Sequence, residues 1–261
     1  SFLAVATLYS FTIPLRGHLS LIDTVVLGAL FAGYVVLAAR RPVAVPEHIG
    51  PAAVIGSLPT GRRRVTLVVL FLFSAAAIFA AAEPFAESLV SMGTQWGVSE
   101  FLLVQWVAPL ASESPEFIIA SLLALKGRPS AAMAALISSK VNQWTLLVGS
   151  LPLAFGISGG SIQPMMFDPR QTEEVLLTAA QSAFAVAVFV SLSLSKWEAL
   201  ALMVLFVTQL FISDMHSRVL YAYGYLALTV VILIFQRHDL RPFITSAWEA
   251  TQKQVAAQPK R

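Results

Sequence analysis

The sequence predicts an all-α fold, a polytopic bundle of membrane-spanning helices. Of the 261 residues, 57% are hydrophobic and only 12% are charged, whereas soluble domains carry roughly 25% charged residues. Several apolar runs reach the ~20 residues that a helix needs to cross a bilayer. The strands of a membrane β-barrel would alternate apolar and polar residues over about ten positions, and these runs do not alternate.

The apolar runs define about eight membrane segments, counting a truncated first one. They cover residues 1–15, 19–39, 65–90, 98–125, 131–155, 173–194, 197–212 and 218–235. The segment at 197–212 is short for a full crossing, so we expect it to be tilted or partly interfacial. The chain begins inside an apolar run, without the charged segment that opens a signal peptide. We therefore expect a fragment whose upstream half is missing.

Composition limits the kinds of site and partner that the chain can have. It has no cysteine, which excludes disulfides and thiolate metal sites. A net charge of +3 would suit nucleic acid, but the basic residues cluster in loops beside apolar runs, as the positive-inside rule predicts. We expect the protein to lie in the lipid bilayer and not to bind nucleic acid.

Lysine and arginine mark one side of the membrane as cytoplasmic. The loops on that side carry most of the basic residues: Arg40, Arg41, Arg62, Arg63, Arg64, Lys126, Arg128, Lys196, Arg237 and Arg241. The opposite loops carry only Arg16, Arg170 and Arg218. This bias places the C-terminus in the cytoplasm, and we expect a multi-pass protein of a prokaryotic inner membrane.

The order of apolar runs and loops divides the chain into four parts. Residues 1–39 would be the last helices of a truncated first repeat, and residues 40–64 a cytoplasmic linker rich in proline, glycine and arginine. Residues 65–236 would form a second repeat, and residues 237–261 a cytoplasmic tail. A weak similarity between residues 20–36 and 217–231 supports the repeat, because internal repeats are common in transporters.

Residues 107–149 are the most informative stretch. They form two apolar runs joined by the basic turn Lys126-Gly127-Arg128-Pro129. Polar residues and prolines interrupt both runs: Pro109, Glu113, Pro115, Glu116, Lys140, Asn142 and Gln143. Charges and unpaired backbone groups are expensive at bilayer depth, and sequences that keep them usually use them. This hairpin is therefore predicted to form an ion site.

The prolines predict a discontinuous helix. Pro115 has no N–H group to donate and disfavours helical geometry at the residue before it, and Pro109 acts in the same way. Backbone carbonyls near Leu110 and Ala111 would lose their helical partners and become oxygen ligands. Discontinuous helices of this kind form cation sites in transporters.

Carboxylates complete the predicted site. Glu113 and Glu116 are three residues apart, and Ser112 precedes Glu116 by four, spacings that place side chains on one face of a helix. Carboxylates, hydroxyls and carbonyls are hard ligands that suit Ca²⁺, Na⁺ or H⁺ rather than soft metals. A structural ion pair between helices is the alternative, and Lys140 is the natural partner for Glu113.

These residues resemble the second α-repeat of the cation/Ca²⁺ exchanger superfamily, the sodium/calcium exchangers and their bacterial relatives. Residues 111–116, Ala-Ser-Glu-Ser-Pro-Glu, occupy the position of the GTSLPE motif of the family, and Lys126-Gly127 the position of the turn that follows it. Residues 138–143, Ser-Ser-Lys-Val-Asn-Gln, stand for GSN-x-x-N, while Gly97-Val98-Ser99 and Gly149 also match. The resemblance implies half of an inverted-repeat exchanger fold.

The resemblance also implies roles for single residues. Glu116 matches the ion-binding glutamate and Ser112 a hydroxyl near it. Ser139, Asn142 and Gln143 match polar ligands of the following helix.

Two departures from the family pattern change the charges of the site. Glu113 replaces a serine and Lys140 replaces an asparagine. Glu113 would then join Glu116 as a second carboxylate on the cation. A Glu113–Lys140 pair would instead fill one cation position with an ammonium, and we expect fewer bound ions than in a full sodium/calcium site.

The resemblance implies a secondary active cation antiporter that exchanges Ca²⁺, Na⁺ or H⁺ by alternating access, with no cofactor and no enzymatic chemistry. Its partners would be inorganic cations, the bilayer and a missing N-terminal half that carries the first α-repeat. Two alternatives stay open: a transport-inactive relative neutralised by Lys140, and a membrane enzyme using a buried acid. The enzyme would need a second catalytic residue, and no His or Asp lies at matching depth in the hairpin.

Overall fold

The computed structural model describes residues 2–40, 51–98, 100–159 and 163–238, together with residues 240, 242 and 245. The helices are α1 (Phe2–Ser10), α2 (Thr12–Arg16), α3 (Leu21–Ala39), α4 (Pro51–Ser57), α5 (Thr60–Trp96), α6 (Glu100–Leu125), α7 (Pro129–Asn142), α8 (Val148–Gly159), α9 (Pro169–Val188), α10 (Lys196–Leu210) and α11 (Met215–Phe235). A π-helical turn (Gln143–Leu147) joins α7 to α8, and a 3₁₀ turn (Phe189–Ser191) follows α9. Two short strands, β1 (His18–Leu19) and β2 (Met165–Met166), pair antiparallel.

The predicted all-α class is confirmed, because helix makes up most of the described residues in every apolar run. Four helical segments of the described residues are long and apolar enough to cross a membrane: Leu21–Ala39, Thr60–Trp96, Pro169–Ser191 and Met215–Phe235. The short run at 197–212 forms α10, which has 15 residues.

Part of the predicted linker is helical. Helix α4 begins at Pro51, and α5 begins at Thr60, directly after Pro59. Proline suits a helix start, where the N–H group that it lacks would have had no helical acceptor. Prolines that predicted an irregular linker therefore mark the starts of two helices. Residues 41–50 of the linker, and most of the predicted tail, lie outside the described residues.

The chain divides into two compact units. The smaller one consists of the described residues of Pro42–Glu113, and the larger one of those of Ser1–Arg41 and Ser114–Arg261. In the smaller unit, α5 has 37 residues and its apolar side chains are almost all exposed. A helix that is apolar on all sides suits lipid or the interior of a larger membrane bundle.

The main core of the larger unit lies between α9 and α11. Leu177, Phe184 and Val188 of α9 pack against Ala222 and Tyr225 of α11. All five side chains are buried. The small alanine allows the two helices to approach closely, as is common where membrane helices pack.

A second cluster fixes α7, the second helix of the predicted site, against α9 and α1. Leu3, Val141, Trp144 and Ala179 form its buried centre. The indole N–H of Trp144 donates to the hydroxyl oxygen of Ser182 at 2.7 Å. This bond satisfies a polar group that has no water to pair with at this depth.

Helix α3 packs tightly against α8. A Cβ atom added to Gly149 would lie 3.0 Å from the Cβ of Leu27, which is itself 1% exposed. Small residues permit such close contacts between membrane helices. The contact places α3, from the predicted first repeat, beside the α7–α8 segment of the predicted second repeat.

Polar contacts hold the loop end of α3. Asp23 is fully buried and accepts from Arg16 Nη2 at 2.5 Å, from the Tyr9 hydroxyl at 2.6 Å and from the Ser20 N–H at 2.8 Å. With Ser20 it forms a capping box at the start of α3, which satisfies free N–H groups of the first turn.

Candidate cation site

The turn between α6 and α7 has the geometry that its sequence predicts. Gly127 has a φ of +74°, in the left-handed region that glycine adopts without strain. The N–H of Arg128 donates to the Leu123 carbonyl at 2.9 Å, a bond that closes the end of α6. Helix α7 then begins at Pro129, so the predicted hairpin is confirmed.

The predicted discontinuity of the first helix is wrong. One helix, α6, runs from Glu100 to Leu125 and contains both Pro109 and Pro115. A proline removes only the bond that its own N–H would have made to the carbonyl four residues earlier, and membrane helices tolerate this loss. For Pro115 that carbonyl belongs to Ala111. A carbonyl without its helical donor is therefore expected here even though the helix continues.

Helix α7 presents one polar face. Ala135, Ser138, Ser139 and Asn142 follow the spacing of three, four and seven residues that places side chains in line along a helix. Two hydroxyls and one amide thus lie along a single stripe. Small and polar residues in such a stripe also permit close approach of neighbouring helices.

Glu116 of α6 meets this stripe. The hydroxyl of Ser139 donates to Glu116 Oε2 at 2.9 Å. Neither residue is buried. A carboxylate has about four lone-pair positions, so this bond orients Glu116 and leaves most of its oxygen capacity for a cation or a proton.

An open pocket of about 550 Å³ surrounds this pair. Residues of three helices, all within the larger unit, line it: Phe31, Tyr34 and Val35 from α3, Glu116 and Ile119 from α6, and Ala135, Ser138, Ser139 and Asn142 from α7. The oxygens that reach it are a carboxylate, hydroxyls and an amide. These are the hard ligands that Ca²⁺ prefers, and Ca²⁺ takes about six to eight of them.

The structure brings together three of the predicted site residues, Glu116, Ser139 and Asn142, around this pocket. Ser112 and Glu113 belong to the smaller unit, and the Ser112 hydroxyl donates to the Ala108 carbonyl of its own helix at 2.9 Å. Gln143 is not among the residues that line the pocket. It begins the π-helical turn instead.

The π-helical turn directly follows the polar stripe. Such single turns within α-helices are frequently found at functional sites. Here the turn directs Trp144 and Thr145 inward, with 4% and 0% exposure. It was not predicted, since the sequence Gln-Trp-Thr-Leu-Leu reads as ordinary apolar helix.

Lys140 lines a different pocket of about 310 Å³, together with Gln181 and Ser182 of α9. Its Nζ lies 6.0 Å from the ring centroid of Trp144, the outer limit of a cation–π contact. The predicted ion pair with Glu113 stays a prediction, because the two residues belong to separate compact units.

Two residues of the pocket were missed as site residues. Neither Ser138 nor Tyr34 was predicted to be an ion ligand, yet the Tyr34 hydroxyl donates to Ser138 Oγ at 2.7 Å. The motif pattern includes Ser138, so its neighbour Ser139 was a signal for it. No local pattern indicates Tyr34, which lies 104 residues away in the chain.

Among the described residues, no group of three or more His, Cys, Asp or Glu side chains could hold a metal ion. The pocket contains a single carboxylate, that of Glu116.

Comparisons with known proteins identify the family of this chain. The family model for the sodium/calcium exchanger protein matches residues 66–215, more than half of the chain. No curated protein matches. Among solved structures, the crystal structure of the H⁺/Ca²⁺ exchanger CAX is similar, with a TM-score of 0.88 and 43% sequence identity.

The similarity to that exchanger covers 98% of this chain and 64% of the other, so this chain spans just under two thirds of its length. The predicted exchanger fold and the resemblance to the cation/Ca²⁺ exchangers are both confirmed by these matches. The chain belongs to the sodium/calcium exchanger family of integral, multi-pass membrane proteins.

Proposed function

We propose that this chain forms the second-repeat part of a secondary active antiporter that exchanges Ca²⁺ for H⁺ by alternating access. Glu116 is the main ion-binding carboxylate, and Ser139 and Asn142 are oxygen ligands on the facing helix. Ca²⁺ and H⁺ are favoured over Na⁺ because the similar solved structure is that of an H⁺/Ca²⁺ exchanger.

The observation that carries this proposal is the Glu116–Ser139 contact of 2.9 Å inside an open pocket to which hydroxyl and amide side chains also contribute. A carboxylate at membrane depth is costly to maintain without a function. One carboxylate binds either a proton or a divalent cation. Occupation by H⁺ removes the charge that attracts Ca²⁺, and this competition is the chemical basis of exchange.

The remaining ligands come from outside this pocket. Its side chains supply fewer oxygens than the six to eight that Ca²⁺ takes. Ser112, Glu113 and Gln143 are proposed to contribute, as the family motif implies. We further propose that a first α-repeat, in the third of the exchanger that this chain does not span, completes the site.

The membrane setting is part of the proposal. The basic loops place the C-terminus in the cytoplasm, and a prokaryotic inner membrane is the proposed location. Transport then connects the cytoplasm with the outer face, with no covalent chemistry and no cofactor.

Transport by the intact protein in liposomes tests the proposal. We expect a proton gradient to drive ⁴⁵Ca²⁺ uptake, and Glu116→Gln to reduce it to the level of empty liposomes, because the amide carries no charge. Glu198→Gln is the matched control, since Glu198 sits at the third position of a capping box on α10, where glutamine serves equally well. Equal uptake by the Glu116→Gln variant and the unmodified protein would reject the proposal.

A further inference from the structure

We propose that Tyr34 of α3 is a positioning residue of the cation site and acts through Ser138. Its phenolic hydroxyl fixes the Ser138 hydroxyl so that the serine oxygen faces the pocket beside Glu116. This inference rests on the proposed function of the pocket. It adds a residue from outside the α6–α7 hairpin to the site.

The contact geometry places Tyr34 at the site. Its hydroxyl donates to Ser138 Oγ at 2.7 Å, and both residues line the pocket that contains Glu116 and Ser139. Ser138 and Ser139 are adjacent in the chain. Two neighbouring hydroxyls of α7 are therefore each engaged by a different helix: Ser138 by α3 and Ser139 by α6.

The chemistry of the serine hydroxyl explains what this contact does. A hydroxyl has one proton and two lone pairs. When Tyr34 donates to one lone pair of Ser138, the other is left for a cation. Without Tyr34, a serine on a helix readily turns its hydroxyl onto the carbonyl of its own helix three or four residues earlier. The pocket would then lose an oriented oxygen.

Tyr34 is itself held in place. Its ring packs edge-on against Phe2, with the centroids 5.7 Å apart. Helix α3 is fixed against α8 by the close approach of Leu27 to Gly149. The hydroxyl of Tyr34 is thus positioned by packing before any ion arrives, and such preorganisation is what a binding site needs from its supporting residues.

A purely structural role is the competing explanation, because hydroxyl contacts between membrane helices are common. The chain offers a matched case. Tyr221 of α11 contacts the Thr208 hydroxyl of α10, also between two helices, and Tyr221 lies away from the Glu116 pocket. Loss of an interhelical hydroxyl contact can therefore be separated from loss of a site residue.

The test is Tyr34→Phe in the intact protein, with Tyr221→Phe as the control. We expect Tyr34→Phe to raise the KM for Ca²⁺ roughly threefold to tenfold, the effect of losing one net hydrogen bond, with little change in the maximal rate or in Tm. Tyr221→Phe should leave the KM unchanged. Ser138→Ala should match Tyr34→Phe, and the double variant should be no weaker than either single variant.

Two results would overturn the inference: an unchanged KM in Tyr34→Phe, or equal changes in KM for the Tyr34 and Tyr221 variants. Glu116→Gln separates this failure from failure of the proposed function. If Glu116→Gln abolishes uptake while Tyr34→Phe behaves as the unmodified protein, only the role of Tyr34 is rejected.

Discussion

Arg218 of α11 donates from Nε to Glu173 Oε1 of α9 at 2.9 Å, with both side chains only 2% exposed. The same guanidinium reaches Glu174 Oε2 at 2.6 Å and the Ile212 carbonyl at 3.3 Å. This buried network joins the two helices that form the main core of the larger unit. It gives α9 a charged connection to α11 in addition to their apolar contact.

Replacing Arg218 with methionine should strongly destabilise the protein. The change leaves the buried Glu173 carboxylate without its main partner, and breaking a buried pair from one side costs about 3–5 kcal/mol. We expect a clear fall in the Tm measured in detergent. Arg170 is the control, because it is 29% exposed and its Nε lies 3.7 Å from Glu173, so Arg170→Met should have a much smaller effect. Similar Tm values for the two variants would contradict this interpretation.

The contact between α3 and α8 predicts opposite effects for two glycines. Gly149→Ala should lower Tm, because its Cβ would lie 3.0 Å from the Cβ of Leu27, and overpacking costs about 1–3 kcal/mol. Gly28→Ala should preserve or raise Tm, since nothing lies within 4 Å of a Cβ there and alanine favours helix by about 1 kcal/mol. Leu27→Gly removes the Cβ of Leu27, so adding it should partly rescue Gly149→Ala, measured against Leu27→Gly alone. Failure of that rescue would show that the clash is not with Leu27.

The helices and the hairpin could be predicted because both depend on local composition. A bilayer requires about 20 apolar residues in each crossing, and Gly127 permits the left-handed turn that ends α6. The family resemblance implies that Glu116 and Ser139 belong to one site. The predicted break at Pro115 is wrong because a proline removes only one helical hydrogen bond, and the long helix α6 continues through it.

The contribution of α3 to the pocket around Glu116 could not be predicted. Tyr34 and Ser138 lie 104 residues apart, and no periodicity in either segment specifies that they meet. Their contact depends on the tight packing of Leu27 on Gly149, which hydropathy does not reveal. The π-helical turn after Asn142 could not be predicted either, because its residues have ordinary helical propensities.

The orientation proposed from the basic loops can be tested by labelling. The chain has no cysteine, so single cysteines can be introduced without a background from it. We expect Lys126→Cys, in the turn between α6 and α7, to react with an impermeant maleimide only from the cytoplasmic side. Ser213→Cys, in the loop between α10 and α11, should react only from the opposite side. The reverse labelling pattern would invert the proposed topology.

Substitution of Lys140 tests how many ions the site binds. The resemblance implies an asparagine at this position, and the proposed Glu113–Lys140 pair places the lysine ammonium in one cation position. Lys140→Asn should then restore that position. We expect the variant to couple more cations to each Ca²⁺ than the unmodified protein does, measured from the reversal of Ca²⁺ flux against imposed proton and electrical gradients. Lys126→Asn, in the turn after α6, removes the same charge away from the pocket and should leave the coupling unchanged. Unchanged coupling in Lys140→Asn would mean that Lys140 does not occupy a cation position. Its place beside Trp144, Gln181 and Ser182 would then point to a role in packing α7 against α9.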